Sequence, residues 1–119
     1  MSTRLEQLVD ELTLSLKVIQ KWHGVAFEKK KDMANIDCVF CRAYRGLDFE
    51  RDCRSCPIVK YKLGSKYCKD TVYVFWEKRT EFPRIADTPE RQHLAVKELL
   101  FLIKVADHIC GLIGKEIRK

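Results

Sequence analysis

The sequence predicts a mainly α-helical protein, in which two long antiparallel helices flank a cysteine-rich irregular middle segment tied by zinc or disulfides. Two observations support this fold class. Apolar residues recur every three or four positions towards both ends of the chain, which is typical of amphipathic helices. The cysteines concentrate between those ends, in a stretch interrupted by glycine and proline. We expect a single domain over residues 1–119, with a first helix at 3–31, a middle segment at 32–87 and a last helix at 88–117.

The first helix is predicted by a stripe of apolar residues and by a start signal. The stripe consists of Leu5, Leu8, Leu12, Leu16, Ile19, Trp22 and Ala26. Thr3 and Glu6 have the spacing of a capping box, in which each side chain binds a backbone N–H at the start of a helix. We place the end near residue 31, because three consecutive lysines favour the last turn.

The last helix has an equally clear start and a wider apolar surface. Thr88 is suited to the N-cap, and Pro89 suits the first helical position, where its missing N–H costs nothing. A wide apolar surface predicts contacts on more than one side, either with the middle segment or with another copy of the protein. The main stripe comprises Ala95, Leu99, Leu102, Ala106, Ile109 and Ile113. Cys110 is expected to be an ordinary buried residue of this helix.

The middle segment contains two Cys-x2-Cys pairs and a fifth cysteine, which predict a cross-linked cluster. A Cys-x2-Cys turn presents both sulfurs to one ion, and four thiolates form a closed structural zinc site. Disulfides are the main alternative, because the charge-rich sequence with a single Asn has the bias of hyperthermophilic proteins, and an iron–sulfur cluster is a further one. The candidate ligands are Cys38, Cys41, Cys53, Cys56 and Cys68. Within the same segment, residues 71–79 fit a short helix better than a strand.

The cysteine pattern also supports a family resemblance. Its residues are Cys38-Val-Phe-Cys41, Cys53-Arg-Ser-Cys56-Pro57-Ile58, Gly64 and Cys68, followed by Thr71 and Tyr73. The stretch resembles small cysteine-containing proteins of bacteriophages and related mobile elements, which share a Cys-x2-Cys…Cys-x2-Cys-Pro…Gly…Cys pattern and have no assigned activity. The resemblance leaves out the last helix, and it implies a viral or mobile-element origin without implying a mechanism.

Charge and aromatic residues suggest what the middle segment binds. Residues 38–84 hold eleven basic and six acidic side chains, so most of the net charge of +6 lies there. Basic side chains neutralise phosphates and tyrosines stack on bases, so this composition predicts a face for DNA or RNA. Packing of the aromatic residues around the cluster beneath a merely solvated surface is the alternative explanation. The candidate nucleic-acid contacts are Arg42, Arg45, Arg54, Lys60, Lys62 and Lys66.

No motif indicates catalysis. The sequence contains neither a phosphate-binding loop nor a dinucleotide fingerprint, and His23, His93 and His108 are isolated from any nucleophile. Since the start of the chain is charged and its apolar runs are short, we expect a cytoplasmic protein of the host cell without a membrane partner. The sequence therefore favours a non-enzymatic accessory or regulatory module that binds nucleic acid. A protein-interaction or homo-oligomerising module that uses the apolar last helix is the alternative.

Overall fold

The computed structural model describes residues 3–32, 57–61, 73–80 and 84–119. These residues form four helices and no β-strand; one isolated bridge joins Asp32 and Arg84. The helices are α1 (Arg4–Phe27), α2 (Pro57–Lys60), α3 (Tyr73–Arg79) and α4 (Pro89–Ile117). The prediction of a mainly helical fold with two long helices is confirmed, and α3 forms within the stretch where a short helix was expected.

Helix α1 begins at the predicted cap and ends earlier than predicted. The backbone N–H of Glu6 donates to Thr3 Oγ1 over 3.1 Å, which is the first half of the capping box. Regular helix stops at Phe27, because Glu28 leaves helical geometry and Lys29 takes a φ of 54° in the left-handed region. The lysines that were expected in the last turn therefore follow the helix instead of belonging to it.

Helix α4 follows its predicted bounds closely. Thr88 is the N-cap and its Oγ1 accepts the Arg91 N–H at 3.1 Å, with Pro89 at the first helical position. The helix continues through Gly111 and Gly114 as far as Ile117. It is therefore long enough to run beside the whole of α1.

The two long helices pack antiparallel. Gln92, near the start of α4, donates to the carbonyl oxygen of Ala26, near the end of α1, over 3.0 Å. Towards the other end, the hydroxyl of Tyr61 donates to Glu11 of α1, and its ring lies 5.0 Å from that of His108 of α4. The main apolar stripe predicted on α4 is buried here for Ala95, Leu99, Leu102, Ala106 and Ile109. These residues are core.

Helix α3 packs across one side of the pair through aromatic contacts. The Trp22 ring meets the rings of Tyr73 and Trp76 edge-on, with centroids 5.8 and 5.5 Å apart. Trp76 is fully buried. Burial of this much aromatic surface fixes the position of α3 against α1 and α4 although α3 is only seven residues long.

Candidate functional site

Most residues of the predicted sites lie outside the described part of the chain. They are the cysteines Cys38, Cys41, Cys53, Cys56 and Cys68, and the basic residues Arg42, Arg45, Arg54, Lys62 and Lys66. Zinc, disulfides and the basic face therefore remain predictions. Within the described residues, no group of three or more His, Cys, Asp or Glu side chains is arranged to hold a metal ion.

Lys60 is the one predicted nucleic-acid contact that the structure describes. Its Nζ lies 2.6 Å from Oε1 of Glu11, a carboxylate that is almost fully buried in α1. Tyr61 donates to the other oxygen of the same carboxylate. Burial first, and then the bond to Glu11, raises the pKa of Tyr61 above its usual value. Lys60 and Tyr61 thus attach α2 to the N-terminal half of α1, and Glu11 compensates the charge of Lys60.

Cys110 and the three histidines of the long helices all lie at the surface. Cys110 was expected to be buried, but it is exposed, because it points away from the side of α4 that faces α1. His23, His93 and His108 are all exposed. The ring of His23 packs on the ring of Phe27, and the ring of His108 packs on the ring of Tyr61.

A buried carboxylate that the sequence analysis did not single out joins α1 to α3. Asp32 is fully buried, and its Oδ1 lies 2.7 Å from Lys21 Nζ. Its Oδ2 accepts from the Tyr73 hydroxyl at 3.0 Å and from Trp76 Nε1 at 2.9 Å. Burial, followed by the nearby charge of Asp32, raises the pKa of Tyr73 far above its usual value. We call these four residues the Asp32 cluster.

The Asp32 cluster is held by backbone bonds as well. The N–H of Asp32 donates to the carbonyl oxygen of Arg84 over 2.8 Å, and the N–H of Arg84 donates to the carbonyl oxygen of Asp32 over 3.3 Å. Arg84 in turn donates through Nη1 to the carbonyls of Glu77 and Thr80 at the end of α3. A charge pair that is buried and satisfied by aromatic donors is suited to holding elements together. No sequence motif marks the cluster, because its four members are spread over residues 21–76.

The first half of an exposed apolar surface lies on α1. Leu5, Val9 and Leu16 are exposed, the last at 55%. Helix residues advance by about 100°, so these side chains lie clockwise of the buried positions when α1 is viewed from its N-terminus. Lys21, which belongs to the Asp32 cluster, lies on the anticlockwise side. The apolar stripe predicted as one face of α1 is therefore divided between the core and this surface.

The second half lies on α4. Leu100 and Ile103 are 53% and 44% exposed, and Ile117 is exposed near the end of the helix. Leu100 and Ile103 again lie clockwise of the buried positions, whereas His108, which packs on Tyr61, lies anticlockwise. Each helix is viewed here from its own N-terminus. Because α1 and α4 run antiparallel and face each other, the clockwise side of α1 and the clockwise side of α4 then lie on the same side of the pair. The six residues thus share one surface, which we call the open face, opposite the side that carries α2 and α3.

The open face repeats with the period of a coiled-coil seam. Along α1 the residues at steps of four and three are Leu5, Val9, Leu12, Leu16 and Ile19. Along α4 the corresponding residues are Val96, Leu100, Ile103, Asp107, Cys110, Gly114 and Ile117. Sustained steps of four and three are how a helix presents one line of side chains to another helix. Leu12, Ile19 and Val96 of these seams are half-buried, and the α4 seam also includes Asp107 and Gly114.

Comparisons with protein-family models, with curated proteins and with solved structures find no match to this chain. Among the residues that the structure describes, no helix is both long and apolar enough to span a membrane.

Proposed function

We propose that this protein is a non-enzymatic protein-interaction module whose docking surface is the open face. The observation that carries the proposal is the exposure of Leu16, Leu100 and Ile103, each between 44% and 55% exposed, on one side of the helix pair. Single exposed apolar residues are ordinary on protein surfaces, but large contiguous apolar patches mark interaction sites. Among the helices that the structure describes, α2 and α3 cover the opposite side of the pair through Tyr61 and the Asp32 cluster, and none covers this side.

The test separates a docking surface from a core surface. At micromolar protein concentration, the double variant Leu16→Glu/Ile103→Glu is expected to keep its helical circular dichroism and its free energy of unfolding within about 1 kcal/mol, as exposed substitutions do. Leu102→Glu is the matched control, because the same change at a position only 2% exposed buries a charge and should cost several kcal/mol, of order 3–5. A docking surface also binds an apolar dye such as ANS, and the double variant should bind less of it.

Unfolding of the double variant would contradict this proposal. In that case Leu16 and Ile103 would stabilise the folded chain itself, and the open face would be part of its core. Equal dye binding by the wild type and by a folded double variant would also contradict it, since the exposed leucines would then form no continuous apolar site.

A second candidate function is binding of DNA or RNA by a zinc-stabilised middle segment of viral or mobile-element origin. The supporting observation is the surplus of basic side chains in residues 38–84. The variant Arg42→Glu/Arg54→Glu is expected to abolish binding, whereas Lys17→Glu/Lys97→Glu, the same charge change on exposed helix positions, should lower it only slightly. Binding that does not weaken with salt, or that is equal in the two variants, would contradict this candidate.

A further inference from the structure

We infer that the occupant of the open face is a second copy of this chain, packed face to face so that α1 and α4 of both copies form a four-helix arrangement. The inference rests on the proposed function, since it names the partner of the same surface. Three properties of the open face support it: its helical period, its dimensions and its lack of charge.

The helical period favours a partner that is itself a pair of antiparallel helices. On both α1 and α4, apolar residues lie on two sides of the helix, one side buried between the helices and the other on the open face, where the α4 seam also contains Asp107 and Gly114. A helix with two such sides is typical of bundles of more than two helices, in which each helix has two neighbours. Within the described part of the chain each long helix has one long helical neighbour, and a second copy would supply the other.

The dimensions of the open face match those needed by a dimer. On this side of α1 the exposed apolar residues extend beyond the seam, from Leu5 to Phe27, which is about 33 Å at 1.5 Å per residue. Two helices packed 8–10 Å apart present a width of roughly 19 Å, so the footprint is about 600 Å² per copy. Stable specific interfaces bury around 800 Å² per partner, so this face is close to the size required. A second copy has the same length and would cover the face without overhang.

The charge pattern does not favour a nucleic acid or a charged peptide on this face. Asp107 is the one charged residue among the α4 seam positions, and the α1 seam from Leu5 to Ile19 has none. An apolar surface of this kind matches another apolar surface. The open face of a second copy is such a surface, and it is present at the same concentration as the first. A face-to-face dimer of two copies closes on itself by two-fold symmetry, so it ends at two.

The experiment is sedimentation equilibrium of the full-length chain in reductant, from about 1 to about 200 μM. The wild type is expected to pass from monomer to dimer across this range. Leu16→Glu and Ile103→Glu should each raise the dimer dissociation constant roughly 100-fold or more, because two-fold symmetry places each charge in the interface twice. Phe75→Glu is the matched control, because Phe75 is as exposed as Leu16, at 56%, but lies on α3. The dimer dissociation constant of this variant should equal that of the wild type.

Asp107→Leu gives a test in the opposite direction. A polar residue at one seam position fixes the register of helices at a cost in affinity, so its replacement by leucine should tighten the dimer by roughly 10-fold. Unchanged affinity in Asp107→Leu would place this part of α4 outside the interface and would overturn the face-to-face arrangement.

The outcomes separate the inference from the proposed function. A wild type that stays monomeric at 200 μM, or a dimer weakened equally by Phe75→Glu and Leu16→Glu, overturns the second copy as partner. If the Leu16→Glu/Ile103→Glu variant is then still folded and binds less apolar dye, the docking surface stands and its partner is another protein. If that variant is unfolded, the proposed function fails together with the inference.

Discussion

Replacing Asp32 by alanine should be among the most destabilising single changes in the described part of this protein. The side chain is fully buried and lies 2.7 Å from Lys21 Nζ. It also accepts from Tyr73 and Trp76 at 3.0 and 2.9 Å. The alanine variant removes a buried negative charge that faces a nearly buried positive one, and it removes the acceptor of two aromatic donors.

The magnitude follows from these contacts. Breaking one side of a buried ion pair costs about 3–5 kcal/mol, and each buried donor that loses its acceptor costs about 1–3 kcal/mol. These costs overlap because they concern the same cavity, so we expect a loss of about 4 kcal/mol. Domains of this size have free energies of unfolding of about 5–15 kcal/mol, so the variant should lose between about a quarter and four-fifths of its stability.

The assay is urea unfolding followed by tryptophan fluorescence and by circular dichroism. Trp22 and Trp76 are in contact with each other, and Trp76 binds Asp32 directly, so fluorescence reports on the cluster. Circular dichroism reports on the helices. If the cluster attaches α3 to the long helices, both signals should move to lower urea together.

Two controls make the result interpretable. Asp32→Asn keeps the size and one acceptor oxygen while removing the charge, and it should fall between the wild type and the alanine variant. Glu28→Ala breaks an exposed pair with Lys30, whose side chains are 50% and 68% exposed, and should cost at most about 0.5 kcal/mol. An Asp32→Ala variant that loses no more stability than Glu28→Ala would contradict this prediction, because the Asp32 carboxylate would then contribute no net stability.

Three further predictions concern single residues. Burial raises the pKa of Tyr73, so above about pH 10 the tyrosine loses its proton in the unfolded chain but keeps it in the folded protein. The free energy of unfolding should therefore be unaffected by this group below pH 10 and should fall above it by up to about 1.4 kcal/mol per pH unit. Urea titrations at alkaline pH should show this fall in the wild type and lack the Tyr73 contribution to it in Tyr73→Phe. Lys29→Gly should raise the melting temperature and add about 0.5–1 kcal/mol, because glycine adopts a positive φ without strain; a lower melting temperature would contradict the left-handed cap. Cys41→Ser should lower zinc content and stability together if the predicted cluster is a zinc site, and a variant that keeps both, by elemental analysis and unfolding, would exclude Cys41 as a ligand.

Local sequence signals were enough to place the long helices. Thr3 and Thr88 act as N-caps in the structure as their spacing predicted, and Pro89 occupies the first position of α4. Such signals work because a cap is satisfied by residues within one turn, so tertiary contacts are not needed to interpret it. The end of α1 was predicted less well, because the left-handed position after the helix is occupied by Lys29 and not by glycine, the residue that usually marks such an end in a sequence.

Tertiary structure alone decided which apolar residues form the core. Leu8 and Leu16 belong to the same predicted stripe, yet Leu8 is 1% exposed and Leu16 is 55% exposed. The stripe on α1 is wider than the line of contact that one neighbouring helix covers, so the sequence could not tell which edge of it α4 would meet. The same reason explains why Cys110 was expected in the core and lies outside it.

What the sequence determined by itself is therefore the local part of the fold: two long amphipathic helices, their caps and the short helix before the last. The buried position of Asp32, the attachment of Lys60 to Glu11 and the existence of an open face were decided by packing. Each depends on residues far apart in the chain, such as Asp32 with Tyr73 or Glu11 with Tyr61. Helix periodicity defines the direction of each side chain around its own axis, but only the antiparallel packing of α1 and α4 brings the two exposed seams onto one side.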